Sequence, residues 1–119
     1  MTRSDRPVPA PLLHVALAEQ LERLRQEPAW RAKGHNAITL TKGPGLRLVL
    51  MLFGAGAKLA EHRAAGPLTF HVLTGAVAFR SGDQTETLRS GELVALDAAI
   101  AHEVEALEES ACLLTLGGS

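Results

Sequence analysis

After Trp30 the chain breaks into nine short apolar or alternating runs, each closed within a few residues by Gly, Pro, Asp or Ser. That spacing most constrains the fold, because helices need longer uninterrupted periodic segments than these breaks allow. The runs predict strands near Asn36–Lys42, Leu46–Phe53, Lys58–His62, Leu68–Leu73, Ala76–Arg80, Thr85–Arg89, Leu93–Leu96, His102–Leu107 and Ala111–Leu116. The segments "KGPG" at Lys42–Gly45 and "SGDQ" at Ser81–Gln84 are hairpin signals. Glycine there accepts positive φ, and an aspartate side chain bonds its own backbone two residues on. So many short strands with tight turns point to an all-β sandwich or barrel. "LRLVLMLF" and "ACLLTL" are the least secure strands, since leucine-rich runs also suit helices.

One helix is expected before the strands. In "PLLHVALAEQLERLRQ", Pro11 to Gln26, residues Leu13, Leu17, Leu21 and Leu24 share a helical face, a proline suits the first turn, and Pro28 follows the end. This predicts a helix over about 12–26. His14 lies beside the stripe with no further donor one turn on, and reads as a half-exposed packing residue. Residues 1–10 are rich in Pro and charge without periodicity, and read as a flexible arm ahead of a single domain over 11–119, with its barrel at about 36–116.

A length of 119 residues, 46% hydrophobic, supplies one domain with one core. The formal net charge is −1 and the cations are scattered, so no basic stripe for nucleic acid is present. The longest apolar run falls far short of the roughly 20 residues that span a bilayer, and "MTRSDRPVPAP" lacks the apolar stretch of a secretory signal. A cytoplasmic protein with no membrane partner is therefore expected. The single Cys112, inside "ACLLTL", permits no internal disulfide and reads as a small buried hydrophobe.

Two spaced motifs carry a resemblance. Gly56, five residues, His62, one residue, Ala64, three residues, Leu68, six residues and Gly75 reproduce the spacing of the first cupin motif. After fifteen intervening residues, Gly91, five residues, Asp97, one residue, Ala99, two residues, His102, three residues and Ala106 reproduce that of the second. From roughly Gly45 to Leu116 the chain thus resembles a small single-domain cupin, which implies a jelly-roll β-barrel with one N-terminal helix, and a homodimer. The same association is expected from the leucine stripe and from the apolar outer faces of "LRLVLMLF" and "FHVL", which one small barrel would struggle to hide.

Function turns on the departures. The resemblance implies a metal held by two histidines and a glutamate of the first motif and one histidine of the second. Here His62 and His102 remain, whereas Ala64 and Leu68 stand where the other ligands would be and cannot coordinate. Two imidazoles fall short of the usual three protein ligands, so any divalent metal (Zn, Fe, Ni or Mn) is expected to be weak or substoichiometric. His71 is a possible third ligand. It lies three residues beyond Leu68, however, and an unbroken strand turns it outward unless a bulge intervenes. Glu61, adjacent to His62, meets the same difficulty.

The expected pocket comprises His62, Leu68, Phe70, Val72, His102 and Val104, an apolar lining suited to a small, mainly apolar molecule oriented by two imidazoles. The reading is a small-molecule-binding or sensory protein with a depleted metal site. The alternative is a metal-dependent enzyme of dioxygenase or isomerase type using a three-histidine centre. A third reading makes the histidines mere core filling. Whether there is catalysis is left open.

Overall fold

The computed structural model describes residues 11–118, so the arm expected over residues 1–10 lies outside the described residues. Among the described residues nine strands form two antiparallel sheets: β1 (His35–Lys42), β2 (Leu46–Phe53), β3 (Lys58–His62), β4 (Leu68–Thr74), β5 (Ala76–Ser81), β6 (Gln84–Arg89), β7 (Leu93–Leu96), β8 (His102–Ala106) and β9 (Ser110–Gly117). The five-stranded sheet runs β1-β2-β9-β4-β7 and the four-stranded sheet β3-β8-β5-β6. Each expected strand is present, with ends within a residue or two of those read from the pattern. The fold is the all-β jelly roll.

The leucine-rich run of β2 is a strand because both its faces are covered. Val49, Met51 and Phe53 face the space between the sheets, whereas Leu48, Leu50 and Leu52 face a layer of helix and chain outside. The same division puts Cys112 and Leu114 of β9 inside and Ala111 and Leu113 outside. A strand covered on both faces loses its polar alternation and becomes a continuous apolar run. Two cores result, one between the sheets around Phe70, Val72, Phe79 and Val104, the other between the five-stranded sheet and the helical layer around Leu24, Ile38 and Leu50.

The helical layer differs from the expectation of one helix over 12–26. Helix α1 spans Leu17–Gln26, and a second helix, α2, spans Pro28–Lys33. Before α1, Leu13, Val15 and Leu17 are half-buried while Leu12, His14 and Ala16 are exposed, which is the period of an extended chain. The helix begins late because Ala16 offers no side-chain cap, and the extended segment buries Leu13 and Val15 against the sheet without one. Pro28 ends α1 as expected and then opens α2, whose terminus is closed by Gly34 at φ 74°. Asn36 of β1 donates through its side-chain amide to the Leu24 carbonyl at 3.0 Å and to Glu27 Oε1 at 3.0 Å, tying the helical layer to the sheet. No helix among the described residues is long and apolar enough to cross a membrane.

Candidate functional site at the barrel mouth

The two histidines of the motifs meet across β3 and β8. Lys58 pairs with Glu105 and Leu59 with Val104, but His62 pairs with His102, so β3 carries one extra residue at Ala60–Glu61. This bulge decides the site. Leu59 packs on the inner core, and strict alternation from it would turn Glu61 inward and His62 outward; the extra residue reverses that and sets His62 on the face of His102. The imidazole centroids lie 4.2 Å apart with planes at 62°. On its other side His102 stacks on Phe79 at 5.5 Å, with planes 7° apart.

Both rings are held in the same way. Nδ1 of His62 donates to the Ala60 carbonyl at 3.0 Å, and Nδ1 of His102 donates to the Ile100 carbonyl at 3.1 Å. A carbonyl can only accept, so the proton sits on Nδ1 and the Nε2 lone pair of each neutral ring is left for another partner. The settings differ, because His102 is 2% exposed whereas His62 is exposed. Burial lowers the His102 pKa below the ordinary imidazole value by desolvation; the bond to Ile100 opposes this and the charge of His62 adds to it.

These rings do not complete a metal site. Among the described residues no three His, Cys, Asp or Glu side chains converge into a group able to hold a metal. Ala64 packs against the inner core and Leu68 is buried in it, and neither carries a donor. His71 does not supply one. β4 alternates regularly, with Leu68, Phe70 and Val72 buried, and its irregularity comes only between Val72 and Thr74, beyond His71. His71 pairs with Leu113, which belongs to the outer core, so it shares the outer face. The possible three-histidine centre is thereby corrected to a pair, which falls short of the three ligands usual at catalytic zinc.

The expected pocket lining also needs correction. Phe70, Val72 and Val104 are closed into the inner core, each at most 1% exposed, and Leu68 borders a separate recess beside Ile100 and Asp97. Of the six residues, His62 alone borders the cavity at the barrel mouth, a cleft of about 710 Å³. Its apolar wall is Val49, Met51, Leu114 and Leu116, and its rim carries Lys42, Arg47 and Arg63. His102 lies behind His62. The apolar residues were assigned to the pocket on the premise of a hollow barrel, but packing fills the interior around Phe70, Val72 and Val104.

Sequence reasoning passed over the rim cations. Arg47 could have been found, since it precedes Val49, Met51 and Phe53 on the inward parity of β2. Lys42 could not, because a second bulge places it: Thr39 pairs with Val49 but Thr41 with Leu48 and Lys42 with Arg47. Lys42, Arg47, Leu116 and buried Leu68 are then successive cross-strand partners, and so share the inner face. Arg63, following the histidine strand, donates through Nη1 to the Ala99 carbonyl at 3.1 Å, and the Ala99 amide donates to the Ala64 carbonyl at 2.9 Å. Ala99 stands at the glycine position of the second motif with φ at 63°, a conformation costing a non-glycine residue about 1–2 kcal/mol. Those two bonds hold it there. Cys112 is buried in the inner core, and desolvation pushes its pKa up to about 12, so the thiol stays protonated and unreactive.

No protein-family model matches the chain, and no curated protein matches it significantly. Solved structures do. The chain is similar to a salicylate 1,2-dioxygenase from Pseudaminobacter salicylatoxidans, with TM-score 0.79, 19% identity, and 98% of this chain covering 38% of that one. A cupin-2 domain containing protein from Shewanella frigidimarina gives TM-score 0.69 at 16% identity, over 87% of this chain and 93% of that one. KdgF from Halomonas sp. gives 0.67 at 21%, over 79% and 84%.

Proposed function

We propose that this chain of cupin fold is a small-molecule-binding protein whose ligand sits in the barrel mouth against His62. The observation that carries the reading is the histidine pair: two rings fixed through Nδ1, with Nε2 of each unengaged by these bonds and one ring bordering a cleft of about 710 Å³. A pocket with an apolar wall and a few oriented polar groups is the usual form of a ligand site. Fixed imidazoles orient a ligand by accepting at Nε2, and His102, shielded by His62 and Phe79, holds the edge of His62 in place. A metal reaching this point would find two protein ligands and need the ligand or water for the rest, so retention would be weak.

Untagged protein purified without added metal tests this by native mass spectrometry and metal analysis. The expected result is protein with little metal, carrying a small molecule or accepting one in a manner that His62→Ala abolishes without unfolding the barrel. Near-stoichiometric iron, manganese or nickel lost in both His62→Ala and His102→Ala would overturn the reading in favour of a metal-dependent enzyme.

A further inference from the structure

We infer that the ligand of the barrel mouth is a small organic anion, a carboxylate with an apolar body, held at its charged end by Lys42 and Arg47. This rests on the reading of the mouth as the ligand site, and adds the chemical class.

The charge of the mouth departs from that of the whole molecule. Twelve Lys and Arg against thirteen Asp and Glu give the chain a formal net charge of −1, yet the described residues bordering the cleft include Lys42, Arg47 and Arg63 and no Asp or Glu. The ion pairs of Arg25 with Glu109 and Arg80 with Glu105 lie elsewhere, and neither involves a cation of the cleft. Lys42 and Arg47 thus have no counter-ion among the described residues, and they face each other across β1 and β2 at one register position. Like charges side by side repel, and the bulge at Leu40 is what brings Lys42 to this face instead of the helix side. Without an anion the arrangement gains nothing from that placement; with one, a fork and an ammonium converge on a single carboxylate.

The wall sets the rest of the ligand. Val49, Met51, Leu114 and Leu116 border the same cleft as the cations of their own sheet and His62 of the other, so a bare inorganic anion would leave apolar surface wet. An apolar body laid over them removes it from water, and methionine adapts to its shape. A hydroxyl at the far end would donate to the lone pair of His62 Nε2.

Matched probes test the inference: cyclohexanecarboxylate, cyclohexylmethanol and cyclohexylmethylammonium, titrated into the intact untagged chain and followed by amide shifts in two-dimensional NMR. The carboxylate should shift amides of residues 42–49 and 62–66 and bind at least about tenfold more tightly than the alcohol, the scale of one charge-assisted hydrogen bond. The ammonium should be the weakest. Lys42 and Arg47 are exposed, so the double variant Lys42→Gln/Arg47→Gln should fold normally, lose that tenfold for the carboxylate and leave the alcohol unchanged. Alcohol and carboxylate binding equally at these amides would overturn the anion inference while leaving the mouth as the ligand site. Tightest binding by the ammonium would also overturn it. If none of the three moves these amides, both the inference and the site reading fail.

Discussion

His102 is a buried base whose neutral form the fold prefers, because desolvation outweighs the stabilising bond to the Ile100 carbonyl and the nearby His62 also disfavours a second charge. The sign of its contribution follows. The folded pKa lies below the unfolded value of 6.5, so on acidification the unfolded chain takes the proton first and stability falls, whereas above that value this group adds no slope. One such group limits the slope to about 1.4 kcal/mol per pH unit. Stability of the wild type to urea should therefore weaken as the pH falls below about 6.5 through this linkage, and His102→Gln should flatten that slope. Equal slopes in the two proteins would remove His102 as the cause. Ala64 and Leu68 show the complementary case, in which one residue type at a ligand position turns coordination into packing.

At the scale of elements, α1 is a marginal helix that the sheet makes stable. It has ten residues and no side-chain N-cap bond, too short to persist alone in water, and Leu24, 0% exposed, anchors it in the outer core beside Ile38 and Leu50. Leu24→Ala should cost about 2–5 kcal/mol through lost transfer energy and a cavity. Helical circular dichroism and the urea midpoint together would report it, and a loss under about 1 kcal/mol would mean that the layer collapses onto the gap. The inner core is independent of this layer, so the mouth should keep its ligand response in the folded fraction of that variant. The strands shape the proposed site through their irregularities: the bulge in β3 aims His62, the bulge in β1 aims Lys42, and the regularity of β4 up to Val72 keeps His71 away.

Across the whole molecule, the apolar surface that suggested a dimer is partly used within the chain. The leucines of α1 and the outer residues of β2 pack on each other. A groove remains beside the extended segment, bordered by Pro11, Leu13, Val15, Leu40, Leu46 and Leu48, with Leu12 81% and Leu46 48% exposed near it. We propose that a second copy covers this groove, since neighbouring apolar surface of this kind is unfavourable in water. Sedimentation or light scattering at high concentration should give twice the 12.6 kDa chain mass, and Leu46→Glu should return it to the monomer. A wild type that stays at 12.6 kDa would refute the dimer.

Local pattern by itself determined the nine strands, their order and their turns, because alternation and glycine placement report on each segment's own backbone. The resemblance to two cupin motifs, rather than local pattern, implied that His62 and His102 belong together. The start of α1 was ambiguous for a specific reason: Leu13, Leu17 and Leu21 are four apart, a spacing that serves both the helical period and the period of two, and only the half-buried Val15 between them reveals the extended chain. Tertiary structure decided the rest of the site. A bulge exists only as a mismatch between two paired strands, so neither the inward turn of His62 nor that of Lys42 is written in β3 or β1 alone. The closing of Phe70, Val72 and Val104 into a filled interior likewise depends on how two sheets pack, and that packing leaves the cationic, apolar-walled cleft at the mouth rather than a cavity inside.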